Sequence, residues 1–539
     1  MNRGINGRFA SSSRRLVWRG LAVLVVFFAM MAGSAVPASA PEPAQAEAIA
    51  LIHGTVIDGT GAPEQPGMTV ITAGGHIVDI GKDGEVQLPQ NAHIVDASGR
   101  FLIPGLIDMH VHTSWDPSFV RPMLLANGVT SVREMFAKDR RAIELRRAEL
   151  AHGEILGPRI LAAGQIIDGE GGPWPGSVIV ANAEQARQAV DTEKKDRFDY
   201  VKVYSALSRD EFFAIADEAK RDNIPFAGHV PGSVSVIEAS NAGQKSFEHL
   251  YGILLACSSR EDELRGHSRS PYQEEQIEAT SVSAQKAESL FELLKKNGTW
   301  QTPTLVVLRN AALHDDPQVV ASFLDPERLQ YVPYSLRLMW ALGLKVTPKM
   351  TPQQLEISRT YFETESRVVG DMQRAGVGVL AGTDTPNPYV YPGFALHDEL
   401  ELLVSAGLTP MEALETTTRN PARFLGMSDS IGTIEKGKAA DLVLLDSDPL
   451  IDIRNTRKID AVFAAGKMFD RPALDEILAQ VKRNRWQVNA AALILAELVI
   501  HMLHKLLYII LAALLGLSVV IILWRKRKLR HGSARIGRA

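Results

Sequence analysis

The feature that most restricts the fold is a recurrent alternation of short apolar, β-favouring runs with longer helix-favouring stretches. Eight such runs follow one another: PGLIDMHVH, GVTSVREM, PRILAAG, YVKVYS, IPFAGHV, KSFEHL, TWQTPTLVVL and GVGVLAGTD. Repeated strand-helix units pack as a parallel sheet covered by helices, and eight of them close into a barrel. The sequence therefore predicts an α/β fold with a (β/α)8 TIM barrel over residues 101–428. Two stretches, Ser258–Lys296 and Asn310–Arg374, are charged, helix-favouring and longer than a simple connection needs. They read as insertions that cover the barrel mouth and shape a pocket.

Both sides of this region carry a different texture. Residues 47–100 hold LIHGTVIDGTG, MTVITAGGHIVDIG and AHIVDASGR, which alternate apolar and polar positions and break at glycines; IGTIEKGKAADLVLLDSDPL and IDAVFAAGKMFD repeat that texture within 429–475. This pattern predicts a flanking β-sandwich built from both ends of the folded region. Residues 1–46 read as an export signal and linker: Arg14, Arg15 and Arg19 precede an apolar run, Leu21–Ala32, and the small residues Ala38-Ser39-Ala40. At the other end, residues 476–505 read as a juxtamembrane helix and the uncharged Leu506–Trp524 as a transmembrane helix. The basic tail at 525–539 then places the catalytic domain outside the cell membrane, anchored by that C-terminal helix.

Composition narrows the chemistry. A net charge of -4 carries no basic excess, so nucleic acid is not an expected partner. Cys257 is the only cysteine, which excludes an intramolecular disulfide and a multi-thiolate zinc site. Any metal must be held by nitrogen and oxygen.

Candidate ligands recur at the ends of the predicted strands. His110 and His112 form an H-x-H pair, and side-chain alternation puts both imidazoles on one face. Lys202 lies in DYVKVYS on the face shared with Tyr200 and Tyr204; a lysine pointing into a barrel is costly unless something pairs with it. His229 in AGHVPG, His249 in FEHL and Asp384 in VLAGTDTP each close a run. Taken singly, each has a bland explanation in packing, solvent exposure or helix capping. Six of them at the same end of five strands point to one shared site.

The segments FLIPGLIDMHVHT, AGTDTPNP and GLTPMEALETTTRNPARFLGMSDSIGTIEKGKAADLVLLDSDPL closely resemble the amidohydrolase superfamily, in particular its imidazolonepropionase-like and Xaa-Pro dipeptidase-like members, across roughly residues 49–475. The resemblance implies that His110, His112, Lys202, His229, His249 and Asp384 are metal positions. It also implies the flanking β domain and a C–N bond in an amide, cyclic amide or small peptide, such as an Xaa-Pro dipeptide, as the substrate.

The hypothesis that follows puts two zinc ions per chain at the site. His110, His112 and Asp384 hold one, His229 and His249 the other, and Lys202 bridges them as a carbamate formed with carbon dioxide. Asp384 is the catalytic proton carrier. Tyr204, Arg133 and the DGEGGPWPG loop with Glu170 and Trp174 are candidates to contact a substrate carboxylate or ring. Two alternatives stand beside this: a mononuclear deaminase of a heterocycle with unmodified Lys202, and a binding protein that kept the fold without the chemistry.

Overall fold

The computed structural model describes residues 48–486, except 138–142, 145–146, 149–155 and 267–268. The chain enters through β1 (Ile49–Val56), β2 (Gln65–Ala73), β3 (His76–Lys82), β4 (His93–Asp96) and β5 (Phe101–Pro104). It then turns at Gly105, where a Cβ would lie 2.2 Å from the Thr130 hydroxyl, so only glycine lets the two segments approach.

The parallel sheet follows: β6 (Leu106–Val111), β7 (Val129–Glu134), β8 (Arg159–Asp168), β9 (Val178–Ile179), β10 (Tyr200–Val203), β11 (Phe226–Gly228), β12 (Ser246–Glu248) and β13 (Trp300–Thr302). Its order is β6-β7-β8-β10-β11-β12-β13, with β9 paired to β8. Helices between the strands bury one apolar face each. In Arg209–Arg221, for instance, Phe212, Ile215 and Ala219 are buried and Ser208 with Glu211 closes a capping box at the start.

The eighth barrel position departs from expectation. GVGVLAGTD forms no strand; the β-type pairing of residues 379–385 with the flanking strands is limited to isolated parallel bridges, Gln301 to Val379 and Val111 to Thr385. Its backbone bonds are divided. Leu380 N donates to Gln301 O, Ala381 N to Thr416 O and Asp384 N to His110 O. Asp384 also adopts a left-handed φ of 62°, outside the extended region of a regular strand. The barrel is thus nearly closed, not a complete eight-stranded cylinder.

The flanking domain is likewise one sheet and not a two-layered sandwich. β14 (Leu442–Leu445), β15 (Ile459–Ala464) and β16 (Lys467–Asp470) join the N-terminal strands in the order β16-β15-β14-β5-β1-β2-β3, with β4 on β1. The ladder runs unbroken because β5 pairs antiparallel with β14 and parallel with β1. Leu442 and Leu444 join Leu51, Val70, Ile77, Leu102 and Phe463 in this sheet's own core, while Val443 and Leu445 join the barrel's. Burial on both faces explains the unbroken apolar run LVLL.

The insertions are helical: Glu261–Gly266, Pro271–Thr280 and Ala284–Asn297 in the first, and a series ending in the long Pro352–Ala375 in the second. The expected membrane topology is corrected. No helix among the described residues is long and apolar enough to cross a membrane, so a C-terminal anchor and the extracytoplasmic placement resting on it are not supported. The segment 506–524, most of 476–505 and the signal at 1–46 lie outside the described residues. The helix Arg471–Asn484, at the start of the expected juxtamembrane region, packs on the domain through buried Leu474, Ile477 and Val481.

Candidate metal centre and substrate cavity

The C-terminal ends of the barrel strands open into a cavity of about 230 Å³ whose lining includes His110, His112, Lys202, His229, His249 and Asp384. The imidazoles converge. The His110 and His249 ring centres lie 4.7 Å apart, His229 and His249 4.9 Å, and His110 and His112 5.5 Å. One ligand atom from each of His110, His249 and Asp384 falls within 4.8 Å of the others, and His112 Nε2 lies 2.9 Å from Asp384 Oδ1. The structure therefore brings all six predicted residues to one place.

Three imidazoles are anchored by Nδ1. His110 Nδ1 donates to Glu248 Oε2 at 2.8 Å, His249 Nδ1 lies 2.7 Å from Thr304 Oγ1, and His229 Nδ1 lies 2.7 Å from Ser205 Oγ. The carboxylate of Glu248 only accepts, so it fixes Nδ1–H on His110; the Thr304 hydroxyl donates to the Pro303 carbonyl and so accepts from His249. Both rings are left with Nε2 as a lone pair, at 3.5 and 3.8 Å from the Asp384 carboxylate. A neutral imidazole oriented through its remote nitrogen is the usual condition of a metal ligand.

Electrostatics agree with this state. Burial, with the nearby Lys202 charge, holds His110 and His229 well below the ordinary histidine value. Burial brings His249 down to about 4 despite Asp384. Burial would raise the Asp384 carboxyl; charge on His110 or His249, wherever either ring is protonated, and the bond from His112 oppose it and keep the group ionised. Burial also lowers Lys202 to about 8, against the pull of Glu248 and Asp384. No hydrogen bond or ion pair engages its Nζ among the described residues. Neutral imidazoles, an ionised carboxylate and a depressed lysine form a donor set that fits a divalent cation.

The backbone is strained at the same points. His249, Thr304 and Asp384 have φ of 62°, 50° and 62°, a concentration of left-handed residues found where function constrains conformation. Two glycines make room. At Gly382 a Cβ would lie 2.9 Å from His110 Cβ, and at Gly228 it would lie 2.1 Å from Val203 O and 3.1 Å from Lys202 Cδ.

The two residues named as substrate contacts separate. Tyr204 lines the cavity and stacks on His229 with ring centres 3.8 Å apart. Arg133 does not line it. Its fully buried guanidinium donates to Met109 O, Ser246 Oγ, Thr302 Oγ1 and Glu248, so it holds the carboxylate that holds His110. Sequence reasoning missed Glu248, Ser205, Thr304 and Trp115. Of these, only Glu248 left a trace, as an acid inside an apolar strand run.

Comparisons with known proteins agree with this geometry. The family described as the amidohydrolase family matches residues 101–469. An ochratoxinase from Aspergillus niger is 23% identical over 501 residues, covering 80% of this chain and 88% of that enzyme. A bottromycin amidohydrolase superposes with a TM-score of 0.63 at 23% identity, over 83% of this chain and 92% of its own. A Xaa-Pro dipeptidase with methionine in its active site superposes with a TM-score of 0.57 at 20% identity, over 79% of this chain and 100% of its own.

Proposed function

The chain belongs to the amidohydrolase family and is a hydrolase of carbon–nitrogen bonds in amides or peptides, and from that premise we propose that its centre holds two divalent ions. The observation that carries this reading is the anchoring of His110, His229 and His249 through Nδ1 in one cavity that Asp384 also lines. His110, His112 and Asp384 would hold one ion, His229 and His249 the other. Zinc suits imidazole and carboxylate ligands.

Lys202 is the proposed bridge. Its buried amine, held near pH 8, is uncharged often enough to attack carbon dioxide: the new N–C bond forms, one proton leaves and an anionic carbamate results. When bound, the ions supply acidity to water near neutral pH and charge that polarises a carbonyl. Asp384, kept ionised, accepts the proton of the attacking water and returns it to the leaving nitrogen. Glu248, Ser205 and Thr304 keep the imidazoles from turning. The substrate is an amide, a cyclic amide or a small peptide, with an Xaa-Pro dipeptide as the first example to try.

The test is a screen of metal-loaded protein against dipeptides and cyclic amides, followed by amine release. Cleavage that is lost in His110→Asn is expected. Cleavage that persists in that variant, or none from any member of the screen, would overturn the reading.

A further inference from the structure

The cavity walls above the six candidate ligands are mostly rings and aliphatic side chains. Trp115 stacks on His112 with ring centres 5.7 Å apart, and Trp174 lies 5.5 Å from Trp115. The polar edge of Trp174 is already used, because its Nε1 donates to Tyr204 Oη at 2.6 Å. What Trp174 offers a ligand is therefore its face. Tyr204 in turn lies on His229, so the aromatic wall is continuous with the imidazoles. Val307 and Leu308 also line the cavity, from the helix Leu305–Ala312. Trp115, Trp174, Val307 and Leu308 are all only partly buried and retain surface for a ligand.

Rings gain more from offset or edge contacts with other rings than from burial alone, and specificity pockets are mostly apolar with few polar fixing points. We infer that Trp115 and Trp174 select substrates carrying a flat apolar ring beside the bond that is cut. This rests on the amide-hydrolase reading and narrows its substrate class. Trp115 and Trp174 are specificity residues here and take no part in the proton transfers.

The test compares Ala-Ala, Phe-Ala and Ala-Phe dipeptides in two ways: kcat/KM with metal-loaded full-length protein, and calorimetric binding to chelator-treated protein. One phenylalanine dipeptide should exceed Ala-Ala by about ten-fold or more in both measures. That ratio should collapse towards one in Trp115→Ala and Trp174→Ala and survive in Trp115→Phe and Trp174→Phe. Equal values for all three dipeptides, or a ratio unchanged in both alanine variants, would overturn the inference. The two readings fail separately. Ring-dependent binding without any cleavage leaves the selectivity standing and removes the hydrolase; cleavage of Ala-Ala with no ring preference does the reverse.

Discussion

Glu248 illustrates how the centre depends on residues that are not ligands. It accepts from His110 and from Arg133, with all three side chains buried, so one carboxylate orients an imidazole and neutralises a guanidinium. Losing such a partner typically lowers metal affinity by roughly ten- to a hundred-fold. Glu248→Gln and Thr304→Val should each do so in competitive chelator titrations, the second without breaking an ion pair. Unchanged affinity in both would mean that the Nδ1 anchors do not matter. The candidate ligands themselves were legible because each lies at or near the end of a short apolar run and its type is chemically restrictive. Their anchors were not, since Glu248 lies 138 residues from His110 and Thr304 lies 55 from His249. Arg133 was misread for the same reason: its place on β7 was visible, but the pairing with Glu248, 115 residues away, was not.

Among the elements, the run 379–385 matters most. It brings Asp384 to the histidines without being a strand, and Gly382 is what lets it approach β6. Gly382→Ala would press a methyl against His110 and Thr302, both held by their own bonds. Overpacking of this kind costs roughly 1–3 kcal/mol, and it acts at the centre. Thermal unfolding should shift down while metal affinity falls; a variant with wild-type values for both would show that the close approach is unimportant. The sequence pattern located this run correctly but overstated its regularity. Apolar alternation reports burial, and nothing in GVGVLAGTD signals that its hydrogen bonds divide among Gln301, Thr416 and His110. The insertions were legible as helices because their sequences are charged and helix-favouring; in the structure Ser283 and Thr351 cap two of those helices.

At the scale of the molecule, barrel and flanking sheet share a core, and His397 ties three parts together. Its Nε2 lies 3.1 Å from Asn127 O and its Nδ1 2.9 Å from Thr456 Oγ1. Burial, together with the Arg457 charge, lowers it to about 3. The unfolded chain therefore binds the extra proton between pH 6.5 and about 3. The neutral histidine costs nothing above pH 6.5, and stability is lost progressively as pH falls through that window, by at most roughly 1.4 kcal/mol per pH unit from this residue. His397→Gln should flatten the fall of the urea midpoint with acid; an identical slope would remove His397 as a source. The single ladder joining both ends of the folded region was only half legible. Strand texture was visible at 47–100 and 429–475, but whether the strands form one sheet or two depends on the pairing of β5 with β14, which local pattern does not encode.

The account as a whole turns on Lys202 and the ions it is proposed to bridge, and metal content per chain tests it most directly. Full-length protein loaded with zinc in bicarbonate should carry about two ions, and Lys202→Ala under the same conditions about one or fewer. Two ions retained in Lys202→Ala would contradict the bridge, and no bound ion in the wild-type protein would contradict the centre itself.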